Sequence, residues 1–370
     1  MEKKETIFTT ISRLSQQYNA INLGQGFPNF DPDPEMVEII KETAHEKIHQ
    51  YAPMKGNPNL IEKIQLLTRH FYGREISPSN VLVTAGATQA IFTAITALVE
   101  QKDEVIIFDP AYDCYVTPII VRGAKPIRIN LTFPDFKIDW DELKAKVSSK
   151  TKMIILNNPH NPSGATLSNY DLDQLESIVQ RHPNLIILSD EVYENISFQK
   201  HLSLNEREQL KKKAIIVSSF GKTLHITGWK IGYIVAEENL LSQIVQIHQY
   251  NVFSVNSFSQ EVISRYISLN EIENLSKFFL DKKELFLSQI ASSRFKILPT
   301  GGTYFQLLDY SQISNESDDN MALKLIQEFG VASIPVSGFY EDDSDHKILR
   351  FCFGKDDESL IKAGRVLCQI

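Results

Sequence analysis

Cysteine is scarce in this chain: Cys114, Cys352 and Cys368 are the three in 370 residues, odd in number and widely spaced. Such a set excludes a disulfide scaffold and offers no paired-cysteine zinc site, so free thiols in a reducing cytoplasm are expected. Long apolar runs are missing too. None approaches the ~20 residues needed to span a bilayer, and residues 1–14 hold two lysines without an apolar stretch, so neither membrane nor secretory signal is expected. Basic residues are outnumbered, 38 Lys and Arg against 46 Asp and Glu, for a formal net charge of −8. That balance disfavours a nucleic-acid partner. No internal repeat or low-complexity tract occurs, and the length suggests about two domains.

What the chain does have is a regular alternation through its middle. Short β-branched runs at 81–83, 105–108, 153–156, 185–188 and 214–217 are apolar throughout, and each is followed at once by polar or turn residues. Continuous apolar strands need cover on both faces, which predicts an α/β fold with a mostly parallel sheet between helices. If the five strands are parallel, their exits share one edge, where open α/β sheets bind ligands. Thr88, Tyr112, Asn161, Asp190, Tyr193 and Lys222 would then converge there. The last third reads differently, with a helix over 271–292, strands at 304–308 and 348–351, and an amphipathic helix over 358–367. The expectation is a large domain over 40–275 and a smaller α+β domain built from 1–39 with 276–370.

Several of these residues suit covalent chemistry. Lys222 follows a buried strand, and Lys230 lies eight positions on; desolvation and a second cation both make a lysine amine easier to deprotonate and so nucleophilic. Taken alone, Lys222 reads more readily as an ordinary surface lysine at a strand end. Asp190 closes another strand, where a carboxylate can pair with a protonated ring nitrogen or simply cap a helix. Tyr193, three residues on, is expected on the same face of a first helical turn. Gly86, Ala87 and Thr88 lie between a strand and a helix-like stretch beginning at Gln89, an arrangement that binds anions through backbone N–H groups or serves as a plain turn and cap.

Three other motifs compete. His-Glu-Lys-Ile-His at 45–49 matches a zinc-hydrolase pattern, but Pro53 follows closely and no third ligand is evident, so no metal is expected. Gly-Lys-Thr at 221–223 resembles the tail of a P-loop, yet the glycine required five positions earlier is Ile216. Ser219 and Lys222 have the S-x-x-K spacing of serine acyl-enzymes, without their companion motifs elsewhere.

Seven segments in one order decide among these readings: Ile-Asn-Leu-Gly-Gln-Gly-Phe-Pro at 21–28, Gln-Tyr-Ala-Pro-Met-Lys-Gly at 50–56, Asn-Pro-Ser-Gly at 161–164, Asp-Glu-Val-Tyr at 190–193, Ser-Ser-Phe-Gly-Lys-Thr at 218–223, Thr-Gly-Trp-Lys at 227–230, and Arg350 before Phe351. In these the chain resembles the class I/II aminotransferases of pyridoxal-phosphate (PLP) fold type I, and most closely their methionine/kynurenine branch. The resemblance implies a homodimeric, ping-pong transaminase acting on amino acids and 2-oxo acids. Lys222 would be the Schiff-base lysine and proton shuttle. Asp190 would pair with the ring nitrogen, Asn161 and Tyr193 would donate to the ring oxygen, and Tyr112 would stack on the ring. Ala87, Thr88, Ser219 and Lys230 would hold the phosphate, with Tyr51 reaching it from the second subunit. Arg350 would grip the substrate carboxylate beside Gly26 and Asn161.

The chain departs from the family pattern at Lys230, where many relatives carry arginine, and at Ser257 and Phe258, where a small residue and proline are usual. Phe27, Tyr112 and Phe339 are the candidate side-chain pocket, which suits methionine-like and aromatic substrates. A C–S β-lyase on the same fold is the alternative activity.

Overall fold

The computed structural model describes residues 7–370; residues 1–6, which the sequence reading assigns to the smaller domain, lie outside them. Its centre is a seven-stranded sheet. From one edge to the other, the strands are Val81–Thr84, Gly232–Ala236, Ala214–Ser219, Ile186–Asp190, Thr151–Asn157, Glu104–Asp109 and Lys125–Asn130. All five runs read from the sequence are strands here. Gly232–Ala236 runs antiparallel to both of its neighbours. Val81–Thr84 and Ala214–Ser219 therefore point the same way, and the remaining pairings are parallel. The five exits do share one edge.

Alternation at period two puts each strand's side chains into two separate cores. Val83, Ile106, Ile154, Ile187 and Ile216 pack on one face with Leu60, Ile64 and Leu175 from covering helices. Leu82, Val105, Met153, Leu188 and Ile215 pack on the other with Ile91, Ile95 and Leu241. Each fully buried aliphatic side chain of this kind stabilises the fold by about 1.5–3 kcal/mol relative to exposure. Helices on both faces leave the sheet no wet side, which is why these runs are apolar throughout.

A third core lies apart from the sheet. It gathers Ile11 and Leu23 near the start of the chain with Phe279, Phe286, Tyr304, Phe351, Leu360 and Leu367. Around it, antiparallel strands run in the order Ile334–Pro335, Ile348–Cys352, Phe305–Asp309 and Lys296–Ile297. The long helix spans Leu269–Gln289 and the closing helix Asp357–Leu367. Near the N-terminus, Ile21–Asn22 pairs in parallel with Val331–Ala332, which ties the start of the chain to its end.

Three local features differ from the sequence reading. The helix after the first sheet strand begins at Gly86, three residues earlier than expected, because Gly86 adopts φ +78° and turns the chain at once. Residues 191–195 form turns closed by Glu194 N–H to Glu191 O and Ile196 N–H to Tyr193 O, with no helical turn and so no helix for Asp190 to cap. The helix Pro34–Thr43 ends before His45. His45 and His49 therefore share no helical face, and His49 instead stacks on Phe258.

Gly232 is where strand and site meet. A Cβ there would lie 2.8 Å from Ser218 O and 2.9 Å from Ala87 N, both rigid backbone. Gly232→Ala should therefore destabilise the protein by about 1–3 kcal/mol. Gly228→Ala, which meets no atom within 4 Å, should stay within about 0.5 kcal/mol of the parent. Urea denaturation of the two variants side by side checks this, and equal midpoints would refute it.

Candidate active site

A cavity of about 430 Å³ opens at the shared strand edge. Every residue assigned to the site from the sequence lines it except Tyr51: Gly26, Ala87, Thr88, Tyr112, Asn161, Asp190, Tyr193, Ser219, Lys222, Lys230 and Arg350. Tyr51 is 81% exposed, outside this cavity, and its ring stands edge-on to Phe253. Of the proposed side-chain pocket, only Tyr112 is a wall. Phe27 is 42% exposed and covers the Lys355 ammonium. Phe339 is buried behind Phe8, in edge contact with its ring. The other apolar walls are Phe8, from the helix Ile7–Gln17, Ile91, Val192 and Phe305.

Lys222 sits one turn past the end of its strand. Its Nζ donates to the Gly26 carbonyl at 3.0 Å, and the Tyr304 hydroxyl donates to the same oxygen at 2.8 Å. Burial is the main cause that brings this ammonium down from its ordinary 10.5 to about 8, with the charges of Arg350 and Lys230 acting in the same direction. A lysine tuned this way releases its proton near neutral pH, as a nucleophilic amine requires.

Asp190 ends the neighbouring strand and is 4% exposed. Burial pushes its carboxyl up from 3.8 to about 6, opposed by a 2.6 Å hydrogen bond from the Tyr115 hydroxyl. Arg350, 2% exposed, comes from the strand Ile348–Cys352. Its Nη1 donates to Asn161 Oδ1 at 2.7 Å and its Nη2 to Gly24 O at 3.1 Å, while its Nε is buried with no partner among the described residues. The guanidinium lies 4.0 Å over the Phe305 ring, a stacked arrangement that fixes its plane. With Oδ1 of Asn161 taken by Arg350, the Nδ2 half of that amide is the donor left over. Asn161 is itself held by its backbone N–H to Asn157 Oδ1, and Asn157 Nδ2 donates to Asp190 O.

The first turn of the helix Gly86–Leu98 faces the same cavity. Ala85 at its N-cap supplies no side-chain cap, so the Ala87 and Thr88 N–H groups are free to receive an anion. Lys230 adds positive charge beside them: a Cβ on Gly86 would lie 3.3 Å from its Nζ. Tyr115, Tyr304, Asn157, Phe8 and Phe305 were not singled out from the sequence. None stands in a motif, and their positions depend on contacts across long stretches of chain.

Fold and cavity together define the class: an α/β enzyme whose half-buried lysine and buried carboxylate and arginine face one space beside an uncapped helix end. The sequence model of the family Aminotransferase class I and II matches residues 18–367, and the chain belongs to that family. It is 42% identical to the methionine aminotransferase of Escherichia coli (strain K12) over 99% of this chain and 96% of that one. It is 33% identical to a kynurenine–oxoglutarate transaminase of Dictyostelium discoideum, over 97% and 92% of the two chains. Among solved structures, an E. coli protein identified as a methionine aminotransferase superposes with a TM-score of 0.97 at 42% identity, covering 100% of this chain and 98% of that one. N-succinyldiaminopimelate aminotransferase from Mycobacterium tuberculosis gives 0.94 at 31% identity, over 99% and 97%. The enzyme is an aminotransferase, and enzymes of this class act on amino acids and 2-oxo acids.

Asp190 has a testable consequence for stability. Its folded value of about 6 lies above the ordinary 3.8, so stability present at low pH is lost as pH rises through about 6. In the ligand-free protein, Asp190→Asn should raise stability by about 2 kcal/mol above about pH 7. The gain should vanish below about pH 4. Thermal melts across pH measure it; an asparagine variant less stable at neutral pH would contradict the burial cost.

Proposed function

We propose that this aminotransferase binds pyridoxal 5′-phosphate in the cavity and transfers an amino group from a methionine-like or aromatic amino acid to a 2-oxo acid by a ping-pong cycle. The carrying observation is that half-buried Lys222 and buried Asp190 and Arg350 face one space that an uncapped helix end also lines. The donor set fits the cofactor group by group. Ala87, Thr88, Ser219 and Lys230 suit a phosphate, Lys222 an aldehyde and Asp190 a pyridine nitrogen. When bound, PLP supplies an aldehyde that condenses with primary amines and a protonated ring that accepts the electron pair released at the substrate Cα.

The protein's part follows from its own groups. Lys222 takes and returns the proton at the reacting carbon. Asp190 holds the ring proton, while Asn161 through Nδ2 and Tyr193 through its hydroxyl donate to the ring oxygen. Tyr112 covers the ring. Arg350 holds the substrate carboxylate through its guanidinium, with the backbone at Gly26 beside it.

Substrate class follows from the cations that line the cavity. Lys222 and Lys230 are taken by the cofactor and Arg350 by the carboxylate common to all amino acids. Among the described lining residues no further cation is left for a distal carboxylate, which would be prohibitive to bury unpaired. Phe8, Tyr112 and Phe305 offer aromatic area to a thioether or a ring. The names of the E. coli and Dictyostelium relatives point the same way.

In this reading residues 40–275 form the large domain, and 1–39 with 276–370 the small one that carries Phe8 and Arg350 to the substrate. The enzyme is proposed to work in the cytoplasm, with Cys114, Cys352 and Cys368 as free thiols. No helix among the described residues is long and apolar enough to cross a membrane.

A donor panel with one common 2-oxo acid tests the function. Methionine, phenylalanine and tyrosine should exceed aspartate and glutamate in kcat/KM. The cofactor absorbance should bleach with donor and return with oxo acid, and Lys222→Ala should abolish both. Product release that needs no oxo acid would identify a C–S β-lyase instead, and aspartate as the best donor would overturn the apolar pocket.

Tyr51 is proposed to reach the phosphate of a second copy. Its exposure, and that of Tyr250 at 87% and Phe253 at 46%, leave aromatic surface for such a contact. Heterodimers of a Tyr51→Phe chain with a Lys222→Ala chain provide the test. Their one lysine-bearing site should bind PLP as tightly as the parent; affinity equal to that of the Tyr51→Phe homodimer would place the contact within one chain.

A further inference from the structure

Asp190 has few donors for so deeply buried a carboxylate. Among the described residues its Oδ1 receives only a long 3.4 Å contact from Val192 N–H, whereas its Oδ2 receives the Tyr115 hydroxyl at 2.6 Å. Tyr115 is 3% exposed and ends the short turn Asp113–Tyr115 that follows the strand Glu104–Asp109. The same turn presents Tyr112, whose ring stands edge-on to Tyr115 at 6.2 Å and 83°. One three-residue step of chain thus places a wall of the cavity and a donor to the carboxylate that faces it.

We infer that Tyr115 is a positioning residue for the reaction: its hydroxyl holds Asp190 ionised and aimed so that the proton shared with the cofactor stays on the ring nitrogen. The inference rests on the PLP reading above. A carboxylate and a pyridine nitrogen compete for one proton, and the more basic group keeps it. A donated hydrogen bond stabilises the carboxylate anion and makes it less basic. With Oδ2 engaged by Tyr115, Oδ1 is the oxygen left for the ring. Without the hydroxyl, Asp190 becomes the better base, the proton moves toward it, and the neutral ring is a poorer electron acceptor. Tyr115 itself stays protonated, because burial and the adjacent Asp190 charge both raise its phenol well above the usual range.

Two substitutions test this without altering the outline of the ring much: Tyr115→Phe, which removes the hydroxyl, and replacement of Tyr115 by 3,5-difluorotyrosine, a stronger donor of nearly the same shape. In enzyme reconstituted with PLP carrying ¹⁵N at the ring nitrogen, the phenylalanine variant should move the nitrogen resonance toward neutral pyridine. Its first half-reaction should slow by about tenfold or more. The fluorinated enzyme should move the resonance toward pyridinium. In PLP-free protein, the Asp190 carboxyl carbon, assigned with Asp190→Asn, should titrate higher than in the parent with phenylalanine and lower with difluorotyrosine. Opposite displacements cannot come from packing, and the fluorinated protein decides the matter even if the phenylalanine variant fails to fold. A resonance and a titration unmoved by the fluorinated side chain overturn the inference and leave the PLP reading standing. A parent enzyme that takes up no PLP overturns that reading instead, while the carboxyl titration still reports on Tyr115 and Asp190.

Discussion

Asp190 closes a central strand with its carboxylate out of water, held by one short hydrogen bond from Tyr115. A lone charge in that position is costly unless it is paired or serves chemistry. Its neighbours share the condition. Lys222, half-buried, and Arg350, buried, line the same cavity, and for both the leading effect of desolvation is to disfavour the charged form. The sheet makes the arrangement possible. Its strands and helices bury enough apolar surface to hold three ionisable groups where none of them is comfortable. Such a cavity is least stable with its charges unpaired and gains most from a ligand that brings the complementary groups.

The cavity wall is held by a small polar relay. Arg350 is braced by Asn161, Asn161 by Asn157, and Asn157 by the Asp190 carbonyl. A substrate carboxylate drawn to Arg350 would therefore stand at the end of three hydrogen bonds that lead to the strand carrying Asp190. Phe305 stacks beneath the guanidinium, and Phe8 and Phe339 stand at its side, so Arg350 is oriented by aromatic faces as well as by hydrogen bonds. This explains how an arginine can be fixed in plane while its Nε stays unpartnered.

A second buried polar cluster lies behind the site and is of another kind. Glu191, Glu194 and His201 approach closely enough to suggest a cation site. However, their carboxylate oxygens already accept from Ser189, the Leu204 N–H, Ser218, Tyr233 and Tyr72. Satisfied acceptors of this sort anchor the loop after Asp190 to the strands beneath it.

Much of this was legible in the sequence, for physical reasons. Strands covered on both faces must be apolar throughout, so five of the seven announced themselves, and the residues that follow them would meet at one edge if the strands ran parallel. Lys222, Asp190, Asn161 and Arg350 stand in ordered motifs and could be named from them. Direction and distance were another matter. Apolar patterning carries no sign of strand polarity, so the reversed strand Gly232–Ala236 could not be read from it, and Lys125–Asn130, half-buried at the edge, lacked the continuous apolar run. Phe339 does stand beside Arg350, yet neither it nor Phe27 lines the cavity, because an aromatic residue near the site need not face it. The Tyr115–Asp190 bond joins residues 75 positions apart. Local sequence dictated which segments form strands and which side chains carry chemistry. Only tertiary packing decided which of them touch, because contact between distant residues depends on how strands are ordered and turned within the sheet.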